Sequence, residues 1–531
     1  MDLDKHVQAD IPEPDASLPQ PTFRTLLSQR AEQDPDHPFL VWDGGQLTIG
    51  ELHRAATKLA NALLARGLKK GDVVALMLDQ HAEHIIILYA CALIGLVRTS
   101  INVNAKGDYL TLFVADAKPR LMIAENRYRA VLSEALETAK IADTIWRYDG
   151  KEKALDELEP LIESGAFAPP PIDVKPDDPL VINYTSGTTG APKKFMRSDR
   201  VVRIGSEGCL IISEAEAGDV WLFWEPLYHG SGHQTVFAAC LEKITLALVP
   251  RFSASQFWDQ ARSFGVTKIH YIGGVLPILL KQPARADDRD HKVTVAWGAG
   301  CPADTAEEFT QRFGAKVNEG YGLSEVANYV AINVDGPRGS IGRALAWFVV
   351  KIVDDEEQEM PSGTTGEIVV KGKQPGFTSV SLNTKPVTTR DGWIKTGDRG
   401  WMDEEGNIFF AGRKSDSLRR RGENVSAWEV ERIISRHPAI EECALIGVDS
   451  GLGAGDDDLK IFVKLKDGEN FDELELIQWC EDRMPYFQIP RYIERVAEFP
   501  KTPSQRIIKA ELSRSTSQCW DLQQKGYSLK R

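Results

Sequence analysis

The sequence predicts an α/β fold, in which a large N-terminal domain of layered α/β subdomains ends in a small β-rich subdomain and is followed by a small C-terminal α+β domain. From about residue 23 to residue 330, helical patterns alternate with short apolar runs, as they do in layered α/β proteins. Between about 337 and 412 the pattern changes to short strand-like pieces separated by turn residues. A polar, cation-rich segment then begins at 413, so we place the N-terminal domain at 1–412 and its β-rich subdomain at 337–412.

Individual elements follow from local patterns. Apolar residues between Leu52 and Leu63 recur at helical spacing, Gly67 stops that helix, and 73–78 reads as a buried strand. The longest apolar run, 85–97, predicts a buried helix because it is too short to span a bilayer. The tail after Leu512 is expected to be poorly ordered. Further strands are predicted at 180–182, 348–353, 366–370, 406–410, 443–448 and 461–465, and further helices at 472–484 and after a capping box at 426–429.

Composition limits the functional classes. The chain has 531 residues, of which 42% are hydrophobic, and this length corresponds to two to four domains or subdomains. Its net charge of −14 argues against nucleic acid and against an anionic membrane surface as partners. Any polyanion that the protein binds should therefore be small. The 7 cysteines show no CxxC spacing, and the sequence shows neither a signal peptide nor a transmembrane segment. We therefore expect a cytoplasmic protein with reduced thiols.

A loop rich in glycine and hydroxyl side chains follows the predicted strand 180–182. Glycine lets backbone N–H groups approach an anion, hydroxyls add donors, and Lys193 supplies a positive charge. The spacing is not that of a GxxxxGK[ST] P-loop. A flexible linker has the same composition, but the preceding strand and the motifs that follow favour phosphate binding. The residues concerned are Thr185, Ser186, Gly187, Thr188, Thr189, Gly190 and Lys193.

Two further motifs suit a nucleotide, and a third segment, 225–230, contains a histidine, His229. In 297–300 and 318–325, an aromatic ring, glycines and a carboxylate could stack on adenine, admit backbone contacts and hold Mg²⁺. In segment 393–398, Asp398 could accept hydrogen bonds from both ribose hydroxyls. Further along the chain, Arg413 carries a planar guanidinium with several N–H donors. Taken alone, the first motif also fits a turn at a strand end, and the TGD sequence at 396–398 is common in turns. A lone histidine such as His229 more often has a structural role.

In this order, over about residues 23–512, the motifs resemble the adenylate-forming superfamily of acyl-CoA synthetases, peptide-synthetase adenylation domains and luciferases. Segments 252–258, 282–290 and 422–426 are most similar to the crotonobetaine/carnitine-CoA ligase branch and its fatty-acid-CoA-ligase-like relatives. The resemblance implies that Glu325 and Thr188 hold the metal. The residues that it assigns to ATP or AMP are the phosphate loop with Lys193, then Gly298, Ala299, Gly300, Glu319, Gly320, Tyr321, Gly322, Ser324, Asp398 and Arg413.

The resemblance also implies an acyl pocket, a CoA channel and a hinge at 413–415 about which a mobile C-terminal domain, 416–531, swings. Four positions depart from the family pattern: Lys194 replaces a glycine, Ser415 replaces the usual Asp or Lys of the hinge, and Gln505 and Arg506 stand where the glycine and lysine of PKTxxGK are expected. The catalytic residues would be Lys193, Glu325 and either Arg506 or Lys509. The acyl pocket would contain His229, His233, Gly273, Gly274 and Ala299, and the CoA channel Gly422, Glu423 and Asn424.

The implied activity is that of an AMP-forming acid–thiol ligase. ATP and Mg²⁺ would activate a small carboxylic acid as its acyl adenylate with release of pyrophosphate, and coenzyme A would then take the acyl group and release AMP. The polar and apolar mixture at the pocket positions favours an acid with a polar substituent. Two alternatives stay open: an adenylation enzyme that loads a carrier protein, and a catalytically impaired ATP or acyl binder. A homodimer is also left open.

Overall fold

The computed structural model describes residues 21–185, 193–326, 329–383, 386–414, 417–420, 423–450, 457–501, 507–527 and 529. Helices alternate with strands through most of the N-terminal part, and several sheets are present, which confirms the predicted α/β class. The helices are Phe23–Gln33, Ile49–Ala65, Ala82–Ile94, Gly107–Ala117, Arg129–Thr138, Leu158–Ser164, Asp199–Ile212, Gly230–Leu241, Phe257–Ser263, Val275–Leu280, Ala303–Phe313, Ala427–Ile434 and Glu473–Glu481.

Two large sheets form the N-terminal part, and most of their neighbouring strands are parallel. From edge to edge, the first sheet contains Val380–Ser381, Lys193–Ser198, Pro179–Thr185, Val97–Ser100, Val73–Met77, Leu121–Glu125 and Thr144–Arg147. The second sheet contains Arg343–Ala344, Tyr329–Asn333, Lys316–Gly322, Val295–Ala299, Lys268–Ile272, Val220–Phe223, Thr245–Leu248, Pro38–Trp42 and Gly45–Thr48.

The later part of the chain forms antiparallel and mixed sheets. The β-rich sheet contains Phe348–Val353, Gly366–Gly372, Ile394–Met402 and Ile408–Arg413. Ser417–Arg420 pairs with Glu423–Ser426, and the C-terminal sheet contains Ile440–Asp449, Asp457–Leu465, Tyr492–Arg495 and Trp520–Asp521. The division of the chain at 412 and 415 stays a prediction, and Ser415 lies outside the described residues.

The first predicted helix shows how local sequence produces these elements. Thr48 and Glu51 form a reciprocal capping box at the start of Ile49–Ala65, and the apolar face of that helix is buried. Gly67 follows in the left-handed region at φ +92°, and Val73–Met77 then enters the first sheet. Helix Ala82–Ile94 is buried along almost its whole length, as predicted. Within the described residues, no helix is both long enough and apolar enough to cross a membrane.

The turn alternative for the TGD motif is excluded, and the expectation of a poorly ordered tail is wrong for the described residues 513–527. The TGD motif is not a turn: Thr396 to Asp398 form a bulge inside strand Ile394–Met402, with Gly397 at φ +73°. A bulge re-aims the side chains beside it, and here it turns Asp398 towards Tyr321. The tail after Leu512 is also not poorly ordered, because Trp520–Asp521 pairs with Tyr492–Arg495 at the edge of the C-terminal sheet.

The carboxylate of Asp521, which is 5% exposed, is expected to hold this tail in place. Arg491 donates to both of its oxygens at 3.0 Å and to Asp458 at 2.7 Å. Asp521→Ala should cost roughly 2 kcal/mol locally, because one charged hydrogen-bond partner is lost while Asp458 remains. Hydrogen exchange of peptides covering 492–495 and 520–521 should speed up at least about tenfold. Asp467→Ala, at an exposed turn, is the control, and equal exchange in both variants would contradict the assignment.

Candidate active site

The candidate site lies where parallel strands of the two large sheets end. Strand Pro179–Thr185 of the first sheet and strands Lys268–Ile272, Val295–Ala299 and Lys316–Gly322 of the second sheet all lead directly into predicted site residues. In open α/β sheets, ligands bind at the carboxyl ends of parallel strands. The location of the predicted motifs therefore agrees with a general property of this architecture.

An ion pair connects the first large sheet to the segment that follows a strand of the second large sheet. Lys193 Nζ, at the start of strand Lys193–Ser198, lies 3.2 Å from Glu325 Oε1, just beyond strand Lys316–Gly322. Within the described residues, no group of three or more His, Cys, Asp or Glu side chains is arranged to hold a metal. A carboxylate such as that of Glu325 does suit Mg²⁺, which proteins commonly bind through one or two carboxylates together with substrate phosphates.

The strand end at 298–300 permits close backbone approach. A Cβ atom on Gly298 would lie 1.9 Å from the carbonyl oxygen of Tyr271, so only glycine fits there. Gly300 adopts φ +86°, which also favours glycine. The N–H of Gly273 donates to the carbonyl of Ala299 at 2.9 Å, so a predicted acyl-pocket residue adjoins the predicted adenine loop.

The carboxyl group of Glu319 holds this loop. It accepts from the backbone N–H groups of Gly300 at 2.5 Å and Cys301 at 3.1 Å, and it lies 2.5 Å from the hydroxyl of Tyr271. Burial raises the pKa of Glu319 to about 7 despite these hydrogen bonds. The Tyr271 hydroxyl also lies 3.0 Å from the carbonyl of Asn318, so a protonated Glu319 can donate to the phenol oxygen while the phenol donates to that carbonyl.

A second polar chain links the second sheet to the β-rich sheet. The buried hydroxyl of Tyr321 donates to Asp398 Oδ2 at 2.7 Å. Asp398 pairs in register with Arg413, whose Nε lies 3.3 Å from Asp398 Oδ1. Burial and the Asp398 charge together raise the pKa of Tyr321 well above its ordinary value, so the phenol stays protonated. Tyr321 thus fixes the orientation of the Asp398 carboxylate.

Arg197 supports the segment that carries Ser324 and Glu325. It is 3% exposed, and it donates to the carbonyl of Ser324 at 3.4 Å and to the hydroxyl of Ser379 at 3.2 Å. Ser379 in turn donates to the carbonyl of Val326 at 2.5 Å. The guanidinium therefore positions these residues from the interior of the protein.

The predicted acyl-pocket histidines lie at the start of helix Gly230–Leu241. His229 directly precedes the helix, and His233 is fully buried one turn further on. Burial, and then the charges of Arg98 and Arg197, hold the pKa of His233 well below its ordinary value, so its imidazole is neutral. Gly232 allows the helix to pack closely, because a Cβ atom there would lie 2.4 Å from the carbonyl oxygen of Pro226.

The C-terminal residues are only partly described. Lys509 Nζ lies 2.8 Å from Glu431 Oε1 of helix Ala427–Ile434, so Lys509 forms an ion pair within the C-terminal part of the chain. Contacts between the two parts include Arg436 with Asp304 at 2.5 Å. The predicted residues Ser186, Gly187, Thr188, Thr189, Gly190, Gly422 and Arg506 lie outside the described residues, and Glu423 and Asn424 belong to strand Glu423–Ser426.

Comparison with known families identifies the chain. Residues 27–376 match the model of the AMP-binding enzyme family, and residues 429–506 match that of the AMP-binding enzyme C-terminal domain. The chain belongs to the AMP-binding enzyme family. It is 30% identical over 482 residues to a crotonobetaine/carnitine–CoA ligase from Escherichia coli O7:K1 (strain IAI39), a match that covers 87% of this chain and 92% of that protein. The predicted adenylate-forming superfamily and its crotonobetaine/carnitine-CoA ligase-like branch are therefore confirmed.

Solved structures with a similar fold support the same assignment. ATP-bound MatB from Rhodopseudomonas palustris has a TM-score of 0.82 at 26% identity, over 92% of this chain and 98% of that one. O-succinylbenzoate coenzyme A synthetase (MenE) from Bacillus subtilis, in complex with ATP and a magnesium ion, has a TM-score of 0.79 at 25% identity, over 93% and 100%. Together with the curated relatives, these matches confirm the predicted class, an AMP-forming acid–thiol ligase.

Several residues that support the candidate site of this AMP-binding enzyme were not predicted from the sequence. Tyr271 and Arg197, which position the loop at 298–300 and the segment at 324–326, were not predicted. Glu225 and His270 were also missed; they form a buried short contact, and the Tyr329 hydroxyl lies 3.4 Å from His270 Nε2. Local pattern gives no signal for Arg197, because its strand Lys193–Ser198 already carries two other cations, Lys193 and Lys194.

The raised pKa of Glu319 predicts a pH effect on stability. Between pH 4.5 and 7 the folded enzyme keeps a proton that the unfolded chain releases, so stability falls as pH rises through this window. Glu319→Gln cannot lose that proton. The Tm of this variant minus the wild-type Tm, measured by calorimetry, should therefore increase from the acidic to the alkaline side of the window. Glu308→Gln, at an exposed position, is the control, and a difference independent of pH would contradict the assignment.

Proposed function

We propose that this enzyme uses ATP to convert a carboxylic acid into its acyl adenylate, releasing pyrophosphate, and then transfers the acyl group to coenzyme A, releasing AMP. The observation that carries the proposal is the contact of Lys193 with Glu325 across two sheets, beside the Tyr321–Asp398–Arg413 chain. These groups suit the phosphate and ribose ends of one nucleotide. Relatives named as CoA ligases support the second half of the reaction.

At the phosphate end, the chain's own groups supply charge and position. The ammonium of Lys193 would exchange its contact with Glu325 for the phosphates, where it stabilises charge that develops on the leaving pyrophosphate. Glu325, with Thr188, would hold Mg²⁺, which supplies Lewis-acid neutralisation of the phosphate oxygens. Arg197 fixes the backbone that carries Ser324, which we assign to the α-phosphate. The loop hydroxyls and glycines at 185–190 would complete this end of the site.

At the nucleoside end, the carboxylate of Asp398 would accept hydrogen bonds from the two ribose hydroxyls. The Tyr321 hydroxyl and Arg413 leave its carboxylate little freedom, which lowers the entropy lost when the ribose binds. The backbone at 298–300 and 319–322 would line the adenine. Glu319 would act as a positioning residue here, because its contacts go to the loop itself.

The acid would bind between helix Gly230–Leu241 and the loop at 273–274, with His229, His233, Gly273, Gly274 and Ala299 around it. A swing at Ser415 would then bring Gly422, Glu423 and Asn424 to the channel for CoA. Arg506 would supply the cation for adenylation, because the Lys509 ammonium already forms an ion pair with Glu431. The cytoplasm is the proposed location.

The test is release of pyrophosphate and AMP from the purified enzyme with ATP and Mg²⁺, across a panel of carboxylic acids, with and without CoA. AMP formation that depends on CoA and on one class of acid supports the proposal. Pyrophosphate release without use of CoA would instead favour transfer to a carrier protein. ATP binding without turnover would indicate an impaired enzyme, and Arg506→Lys should then restore pyrophosphate release.

Two neighbouring lysines provide a matched comparison. Lys193→Met should lower kcat for adenylation by about 10²–10³, because it removes a charge that stabilises the transition state. Lys194→Met should change kcat less than about threefold, because the Lys194 ammonium contacts Asp116 at 3.0 Å, away from Glu325. Initial rates of pyrophosphate release give both numbers. Equal losses in the two variants would contradict the role of Lys193.

A further inference from the structure

One buried cation has no partner in the site described so far. The side chain of Arg98, in strand Val97–Ser100, is 0% exposed, and none of its three guanidinium nitrogens has a hydrogen-bond partner among the described residues. Its guanidinium carbon lies 5.4 Å from the ring centre of Phe237 in helix Gly230–Leu241. Burial lowers the pKa of Arg98 only to about 10, so the group is charged at neutral pH. A buried charge without acceptors is strongly unfavourable unless a ligand supplies them.

A second buried guanidinium lies on the same face of the first sheet. Arg98 pairs with Val181, and Val181 pairs with Arg197, so the two arginines stand two strands apart, about 10 Å between Cα atoms. Nη1 of Arg197 also has no partner among the described residues. This atom faces the start of helix Gly230–Leu241, where a Cβ atom on Gly230 would lie 3.5 Å from it. A helix N-terminus adds a further preference for an anion.

Among the described residues, no carboxylate neutralises Arg98. The charged or titratable groups that act on it are Cys91, Tyr89 and Arg197, and burial keeps the first two protonated by raising their pKa. His233, which both guanidiniums influence, is itself neutral. Glu325 acts on Arg197, but Glu325 also pairs with Lys193. The surroundings of His233 therefore carry excess positive charge from the two guanidinium groups.

We propose that Arg98 and Arg197 together bind a second anionic group of the acid substrate, so that the enzyme activates a dicarboxylic acid. This inference rests on the proposed function and names its substrate class. Guanidinium groups bind carboxylates through paired, charge-assisted hydrogen bonds. His233 lies four residues after His229, about 6 Å further along the helix, so the two carboxylates of the substrate would be separated by a short spacer.

A dicarboxylic acid substrate would distinguish this enzyme from the crotonobetaine/carnitine–CoA ligases that it resembles. Crotonobetaine and carnitine carry a quaternary ammonium group, which two buried guanidiniums would repel. The predicted nucleotide residues, such as Glu325 and Asp398, are separate from Arg98 along the chain and belong to other strands or segments. The acid can therefore differ in charge while the adenylation chemistry stays the same.

The test uses non-hydrolysable acyl-sulfamoyl adenosines with three tails of equal length: a glutaryl tail, its neutral amide, and a 4-(trimethylammonio)butanoyl tail. Calorimetry at neutral pH should show the glutaryl compound binding at least about tenfold more tightly than the amide, equivalent to ~1.4 kcal/mol, with the cationic compound the weakest. Arg98→Met should abolish the preference, Arg98→Lys should retain part of it, and Arg338→Met, whose side chain is 68% exposed, should leave it intact.

The outcomes separate two failures. If all three compounds bind wild-type enzyme equally, or the amide binds more tightly, the dicarboxylate inference is wrong and the adenylation proposal stands. If none binds, both are wrong. Because the three-compound comparison is made on wild-type enzyme, it decides the matter even if Arg98→Met does not fold. A preference for the glutaryl compound that persists in a folded Arg98→Met variant would also overturn the role of Arg98.

Discussion

The hydrogen bond from the Tyr321 hydroxyl to Asp398 joins the second sheet to the β-rich sheet, and the candidate nucleotide site depends on it. Asp398 reaches Tyr321 because the bulge at 396–398 re-aims it inside strand Ile394–Met402. The same residue pairs in register with Arg413, which ends the last strand of the β-rich sheet. A change in the pairing of Asp398 with Arg413 would therefore disturb the candidate ribose site. It would also disturb the start of the segment that leads to the C-terminal part.

Buried polar groups in this enzyme fall into two kinds. Glu319 is satisfied by the protein itself, through two backbone N–H groups and the hydroxyl of Tyr271, so its role is to fix the loop at 298–300. The guanidinium of Arg98 is not satisfied by any described residue. A group of the first kind stabilises a preformed site, whereas a group of the second kind makes the empty site less stable and favours a ligand that neutralises it. This difference lets structure alone separate positioning residues from binding residues.

The sequence predicted well those features that depend on local pattern. The capped helix Ile49–Ala65, the strand Val73–Met77 and the α/β class follow from periodicity, capping and glycine placement. The resemblance supplied Lys193, Glu325 and Asp398, but not the contacts among them. Tyr271 and Arg197 could not be found in this way, because their importance comes from contacts between strands far apart in sequence. The bulge at 396–398 was hidden for a related reason, since TGD fits both a turn and a bulge until the partner strand is known.

Nucleotide binding and acid selection depend on different parts of the chain. The candidate nucleotide end uses backbone, glycines and a few charged side chains at strand ends, and such a site tolerates low overall identity. ATP-bound MatB shares the fold, with a TM-score of 0.82, at 26% identity. We infer that the acid end uses side chains between helix Gly230–Leu241 and the first sheet, where a single charged residue would reverse the preferred ligand charge. Under the proposed function Arg98 and Arg197 are such residues, and Arg197 also supports the segment that carries Ser324. Membership of the family therefore fixes the class of reaction more firmly than the acid, and we infer that the buried charge of Arg98 is the better guide to the substrate.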